Sequence, residues 1–511
     1  MRKKPVLVTG STGYVGGRLI PQLLASGYRV RALGRSKTKI KALPWASHPR
    51  LEIAQADVLD YDALKKAVLG CWSAFYLVHS MNPRHTDFSE ADRKAAQNMA
   101  VAAEESGLER IIYLGGLGDE KDSLSKHLLS RIEVARILQS GTVPITFLRA
   151  AMILGSGSVS FEILRYLVER LPVLITPRWV RNPVQPIAIR NVLNYLEGCL
   201  EHNETLGQTF DIGGPDVLTY QNLMAIYAEE AGLAKRLIIP VPAFTPKLSS
   251  HWIHFVTPIP SYIARPLAEG LSNPVVCKEN RIRAIIPQEL LNCRTTVKRS
   301  LRKIQNTCTE SCIKSSGALR PPECVHLSDA PYAGGTIIEL GYRIRIQASP
   351  KAVWTPISRI GGQTGWYFAN SLWKVRGAID RLFGGIGLRK ERSHPLEFKK
   401  GDRVDFFRVL NVKAPYLLQL MGEMRFPGEA TMEFNLVPRK EAVTELEQVS
   451  RFIPKGFSGL LYWYTLYPVH QYVFIGMLKG IAKAVEKPVT KGPNRFTPAH
   501  LDVCSPNPGE T

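Results

Sequence analysis

Along the first 150 residues, short apolar runs alternate with longer stretches that carry apolar residues at helical spacing. Residues 6–8, 29–33, 52–56, 74–78, 110–114 and 145–149 read as strands. Between them, 16–26, 63–69, 88–106 and 124–140 read as helices. Strands alternating with helices predict βαβ units, hence a doubly wound parallel sheet covered on both faces. Further helical patterns at 160–170, 189–202 and 220–232, with a proline-broken stretch at 240–274, extend this α/β domain to residue 302 as a smaller cap.

The pattern then changes class. Residues 303–335 crowd polar side chains, three cysteines, Pro321-Pro322 and Gly334-Gly335 together without periodicity, which predicts a linker. Over 336–487 a strand (336–347), helices (350–360 and 367–383), four strand-like runs (403–412, 417–426, 430–437, 443–452) and a long apolar helix (457–485) predict an α+β domain. Its curved sheet is expected to wrap around the last helix. The Pro- and Gly-rich tail, 488–511, is expected to be disordered.

Composition narrows the classes without choosing one. The 511 residues are 45% hydrophobic and 22% charged, which is globular and excludes a disordered, collagen-like or coiled-coil chain. Sixty-six Lys and Arg against 44 Asp and Glu give a net charge of +22. The excess is scattered, so it favours an anionic partner or a solvated basic surface alike. No apolar run of signal-peptide length opens the chain, and eight cysteines are too few for a disulfide scaffold, so a reducing, cytoplasmic setting is expected. Cys308, Cys312, Cys324 and His326 are four conceivable zinc ligands, but their intervals match no common finger and no metal is expected. Residues 459–478 hold no Asp, Glu, Lys or Arg. They read as a buried helix, a helix on a membrane face or a span, with Pro468, His470 and Gln471 at the centre arguing against a span.

The most specific motif is Gly10-Ser11-Thr12-Gly13-Tyr14-Val15-Gly16, which follows the first strand and opens a helix. Glycine is needed at Gly10 for a tight turn, at Gly13 for backbone approach to a pyrophosphate and at Gly16 for close helix packing. The helix N-terminus then presents unpaired N–H groups to phosphate. This predicts a Rossmann dinucleotide site. At the end of the second strand stands Arg35, where NAD sites usually carry a carboxylate, so a 2′-phosphate and NADP are expected, with Lys37 or Lys39 assisting and NAD still possible. Asp57 and Val58 are expected beside the adenine and Val78 beside the cofactor.

The segments VTGSTGYVGGRL, VRALGRS, AQADVLD, RIIYLGGLG and TFLRAAMILG resemble the atypical, NmrA-like short-chain dehydrogenases/reductases. The likeness continues through IGGQTGWYFANSLWKVRGAIDRLFGG and FIPKGFSGLLYWYTLYPVHQYVFIGMLKGIAKAVE to bacterial NAD(P)-binding proteins of the YbjT type. The element order after residue 336, with Ser349-Pro350 and Trp354 opening the first helix, is similar to the START-like helix-grip fold. That resemblance implies an apolar cavity against the last helix, lined by Trp463, Tyr464, Tyr467 and Phe474.

The chain departs from the family at the chemistry. The helix that carries Tyr-x-x-x-Lys in such enzymes reads Ser125-Lys126-His127-Leu128-Leu129-Ser130-Arg131 here, and Gly115-Gly116-Leu117-Gly118 stands where a catalytic Ser or Thr is usual. His127 and Arg131 share the i, i+4 spacing that puts both on one helix face, and a histidine is a general acid near neutral pH. His79-Ser80, after the fourth strand, is a second candidate. Three functions stay open: an NADP(H)-dependent oxidoreductase acting on an apolar substrate, a non-catalytic NADP(H)-binding sensor or assembly factor, and a membrane-associated lipid-binding protein. The expected partner is a small hydrophobic molecule or lipid, not nucleic acid, with peripheral membrane contact through the C-terminal helix.

Overall fold

The computed structural model describes residues 4–79, 88–118, 126–241, 253, 255–270, 273–301, 321–388 and 397–498, except the side chains of 88, 126, 127 and 268. Two compact units divide the chain, Met1–Lys303 with Ser316–Gly335 and Ile304–Ser315 with Thr336–Thr511.

The first unit is built on seven parallel strands: β1 (Val6–Val8), β2 (Val30–Gly34), β3 (Leu51–Gln55), β4 (Ser73–Tyr76), β5 (Arg110–Gly116), β6 (Ile145–Ala150) and β7 (Thr209–Ile212). Their order is β7-β6-β5-β4-β1-β2-β3. The helices that matter below are α1 (Gly16–Ala25), α2 (Lys37–Lys41), α3 (Tyr61–Val68), α4 (Phe88–Glu105), α5 (Lys126–Gln139), α6 (Val159–Arg170) and α7 (Ile189–Glu201). Alternation along β1 sends Val6 and Val8 to one core with Leu19, Leu23 and Val192, and Leu7 to the other with Leu64, Met99 and Ile111. Both faces are therefore covered, as a parallel sheet requires. Strand order reverses between β1 and β4, which opens a crevice at the carboxyl ends of these strands. β7, only four residues long, was not legible as a strand in the sequence.

The expected linker, 303–335, is corrected over its described part. Residues 321–335 pack onto the first unit as a strap: Tyr166 Oη donates to Tyr332 O (2.9 Å), and Ser156 N donates to Glu323 O (3.0 Å). Polar anchors hold it, so it shows no apolar period. Cys324 and His326 belong to the strap, whereas Cys308 and Cys312 lie outside the described residues. Among the described residues no group of His, Cys, Asp and Glu is arranged to hold a metal.

The second unit is a seven-stranded antiparallel sheet: β8 (Ile338–Ile346), β9 (Arg403–Val404), β10 (Phe407–Lys413), β11 (Leu417–Gly422), β12 (Gly428–Pro438), β13 (Thr444–Pro454) and β14 (Val489–Phe496). The order is β9-β10-β11-β12-β13-β8-β14. It packs with helices α8 (Pro350–Ser358), α9 (Asn370–Leu382) and the thirty-residue α10 (Gly456–Val485). The two sheet faces follow the period of β13. Leu446 and Phe452 join the core, while Glu445 pairs with Arg345 and Arg439, and Arg451 with Glu339 (2.8 Å) and Glu433 (3.1 Å), on the outer face.

Two expectations fail here. The tail expected to be disordered from residue 488 contains β14, whose backbone pairs with β8 at Tyr342↔Arg495 and Gly341↔Phe496. Its polar, Pro- and Gly-containing sequence hides an edge strand that needs no buried face. Of the four side chains assigned to a cavity, Tyr464 is exposed, while Trp463 and Phe474 are buried in the core and Tyr467 packs against it. The 459–478 run lies within α10, and no helix among the described residues is long and apolar enough to cross a membrane.

Candidate cofactor site

The loop between β1 and α1 is clasped from both sides. Thr9 Oγ1 donates to Phe75 O (3.0 Å) and accepts from Leu77 N (2.9 Å), fixing the loop to the end of β4. Ser11 Oγ donates to Leu33 O (2.9 Å), fixing it to β2. Gly10 has φ +64, and a Cβ there would sit 2.8 Å from Leu77 O, so both conformation and space demand glycine. A Cβ on Gly16 would strike Gly10 O, so helix and loop approach more closely than any side chain permits. Gly13 N donates to Gly10 O (2.9 Å) while Gly13 itself faces solvent.

No side chain caps α1, whose N-cap position is Val15. The N–H groups of Thr12, Tyr14 and Val15 meet no backbone acceptor among the described residues. Uncapped donors at a helix N-terminus, beside a surface kept bare by glycine, fit a pyrophosphate.

Arg35 stands one residue beyond β2, exposed and without an ion pair among the described residues. Lys37 and Lys39 are exposed on α2, which Ser36 caps by accepting from Lys39 N (3.3 Å). Beyond β3, Asp57 Oδ1 accepts from Leu59 N (3.1 Å) in a local turn, and Val58 is buried with its carbonyl accepting from Asn98 Nδ2 (2.9 Å). Gly10, Ser11, Arg35, Asp57 and Val78 thus all lie at the carboxyl ends of β1 to β4, the edge where the crevice opens.

The catalytic candidates divide. Arg131 donates to Val78 O and Leu114 O (3.4 Å each) and lies over the Tyr113 ring, so it ties the ends of β4 and β5 together. A guanidinium so placed positions backbone and does not deliver a proton. The His127 side chain and Ser80 lie outside the described residues. His79 Nδ1 meets Asp92 Oδ2 at 3.2 Å, and Ser130 Oγ donates to the same oxygen (3.2 Å). Burial, and then the Arg131 charge, lower the His79 pKa below the ordinary histidine value. Asp92 and Ser130 escaped sequence reasoning because α4 and α5 offer no motif around them.

The strap adjoins this site. The buried Arg18, two residues into α1, donates to Asp329 Oδ1 (2.6 Å) and Oδ2 (2.7 Å), Pro322 O (2.8 Å), Cys324 O (2.7 Å), Ser156 O (2.9 Å) and Tyr14 O (3.0 Å). Glu323, fully buried, takes two hydrogen bonds from Arg190 (2.7 and 2.9 Å). The Arg18 guanidinium lies 4.1 Å from the centroid of the Tyr14 ring, whose buried phenol is pushed above its ordinary pKa by desolvation. The available signal was an arginine on the apolar helix behind the glycine loop, which a buried position obliges to find an acid.

Residues 10–163 match the family model described as NAD(P)H-binding, and residues 333–477 match that of a protein of unknown function, DUF2867. The first unit therefore carries a Rossmann-like NAD(P)H-binding domain. Among curated proteins, the chain is similar to Protein BRI1-5 ENHANCED 1 of Arabidopsis thaliana, 36% identical over 97 residues, covering 17% of this chain and 26% of that protein. It is also similar to cinnamoyl-CoA reductase 1 of Oryza sativa subsp. japonica, 28% identical over 120 residues, covering 23% of this chain and 35% of that one. The chain thus spans about a quarter to a third of the length of these relatives. Among solved structures, triphenylmethane reductase of Citrobacter sp. aligns with a TM-score of 0.49 and 20% identity, over 58% of this chain and 100% of that one.

Proposed function

We propose that the chain is an NADP(H)-dependent oxidoreductase of the atypical, NmrA-like short-chain dehydrogenase/reductase type that acts on an apolar substrate. The observation that carries this reading is the glycine loop at the β1/β4 crevice, where Gly10 and Gly16 leave no room for a side chain and the N–H groups of Thr12, Tyr14 and Val15 meet no backbone acceptor among the described residues. The 10–16 loop would hold the pyrophosphate, Asp57 and Val58 would border the adenine, and Arg35 with Lys37 and Lys39 would meet the 2′-phosphate. When bound, the nicotinamide supplies the hydride. Arg131 holds the β4 and β5 ends that border the reacting position. His79, oriented by Asp92, is the described group suited to take the accompanying proton from solvent and pass it on, and His127 is the second. The names of curated relatives, reductases and dehydrogenases, support the reading.

The second unit is proposed as a START-like helix-grip domain that holds an apolar molecule with a polar group. Support comes from its interior, where Gln448 Nε2 and Oε1, Ser450 Oγ, Trp463 Nε1 and His470 Nδ1 are buried with no hydrogen-bond partner among the described residues. Each such atom costs about 1–3 kcal/mol. They are neighbours: Gln448, Ser450 and Phe452 share one face of β13, Phe452 stacks on Trp463 (5.0 Å), and Trp463 meets His470 (4.6 Å).

The test is loss of NADPH absorbance against a panel of quinones and α,β-unsaturated carbonyls. Turnover is expected with at least one acceptor, reduced about a hundredfold or more in whichever of His79→Ala and His127→Ala removes the proton carrier. Bound NADPH that passes hydride to no acceptor would instead favour a non-catalytic sensor.

A further inference from the structure

The second unit exposes an apolar surface that its core does not use. On α9, Leu372, Val375, Ile379 and Leu382 recur at steps of three and four, and Phe383 follows. These five side chains are between 40% and 82% exposed. A helix at the surface of a water-soluble domain turns that face inward. Here the inward face is instead Gly377, Asp380 and the half-buried Trp373, which packs on Trp366 and Phe406 (5.2 and 5.6 Å). Asp380, the only acid of α9, is buried and accepts from Gly387 N (2.8 Å) and Arg425 N (2.7 Å). Helical geometry places Arg376 beside one edge of the apolar stripe and Lys374 beyond the other, while Arg381 donates to Leu388 O (3.0 Å).

The same arrangement recurs on α10. Phe457, Leu461, Tyr464, Pro468 and Tyr472, at steps of four, three, four and four, are all exposed. Lys479 and Lys483 continue that face, and with Lys487 they line an open groove of about 580 Å³. Phe368, two residues before α9, packs edge-on against the outward-facing Tyr472 (5.0 Å). Across residues 336–498 there are 25 Lys and Arg against 13 Asp and Glu.

We propose that the apolar stripe of α9, continued by the outer face of α10, docks the second unit on the surface of an anionic lipid bilayer. Large apolar side chains bordered by cations, with the one acid turned inward, are what an interfacial helix needs to bury its stripe among acyl chains while its cations meet lipid phosphates. Charge complementarity selects this occupant over an uncharged apolar partner. The inference is independent of the nucleotide site.

The test is co-sedimentation of the full chain at low ionic strength with vesicles of equimolar phosphatidylcholine and phosphatidylserine, and with vesicles of phosphatidylcholine alone. Binding is expected to the anionic vesicles, weaker to the neutral ones, and reversed by salt. The double variant Leu382→Ser/Phe383→Ser changes only exposed positions. It is expected to keep the wild-type melting profile and NADPH affinity while losing about tenfold or more in vesicle partitioning. Wild-type protein that binds neither vesicle, or a double variant that binds as well as wild type, overturns the proposal. So does a wild-type dimer that the variant converts to monomer without any vesicle binding, which would assign the stripe to a second copy of the chain.

Discussion

The strap of the first unit and the interior between β13 and α10 of the second handle their buried polar groups in opposite ways. In the first, Arg18 lies out of solvent with every donor engaged, and Glu323 is closed off with Arg190 as its partner. In the second, the ion pairs of β13 stand on the outer face of the sheet, while Gln448, Ser450, Trp463 and His470 keep unpartnered polar atoms inside. A satisfied network fixes one geometry, which suits a loop that must hold its donors ready for a pyrophosphate. Unsatisfied atoms in a core are a standing cost, and a bound molecule that offered them partners would remove it.

The largest effect is expected where that contrast is broken in the first unit. Asp329→Ala leaves the Arg18 guanidinium buried without its counter-charge, which should cost about 3–5 kcal/mol. Urea unfolding should show this as a lower midpoint for the transition of the first unit, together with weaker NADPH binding, because Arg18 also holds the Tyr14 carbonyl of the glycine loop. A midpoint equal to wild type would mean that the strap is not a structural part of the unit.

A somewhat smaller effect is expected from pH on the second unit. Burial, and then the Arg376 charge, lower the His470 pKa to about 4. Above an ordinary pKa of roughly 6.5 the ring is neutral in both folded and unfolded chains, so no stability is lost there. As pH falls from about 6.5 to about 4, the unfolded chain takes the proton first, and stability declines by up to about 3 kcal/mol. His470→Phe should remove that part of the acid sensitivity. Equal acid sensitivity in variant and wild type would show that His470 titrates normally.

Gln448→Leu sharpens the comparison from the other side. Replacing an unpartnered buried amide with an apolar side chain of similar size should raise the stability of the ligand-free protein by about 1–3 kcal/mol. A loss of stability instead would show that the amide is already satisfied in the folded protein.

What was legible in the sequence follows from how each part is held together. The strands from β1 to β6 and the helix α1 announce themselves because apolar period and burial coincide, and the glycine loop because only glycine satisfies φ +64 at Gly10 and the close approach at Gly16. Arg35 was readable as a candidate from its place after β2. The strap was not, since Asp329 and Glu323 gain their meaning from Arg18 and Arg190, more than a hundred residues away. The pairing of His79 with Asp92, thirteen residues on, was hidden because no motif on α4 marks that acid. β14 was missed because an edge strand need not alternate, and the outward turn of Tyr464 because an uninterrupted apolar run conceals which side of α10 faces the sheet.

The central claim is that the 10–16 loop and Arg35 bind NADP(H). It is tested most directly by titrating cofactor-stripped protein with NADPH and NADH, following nicotinamide fluorescence, in wild type and Arg35→Asp. NADPH should bind more tightly than NADH to wild type, and the ratio should fall by about tenfold or more in the variant as a charge-assisted contact worth about 1.5–3 kcal/mol is lost. Binding of neither cofactor to wild type, or an NADPH-to-NADH ratio that Arg35→Asp leaves unchanged, would contradict it.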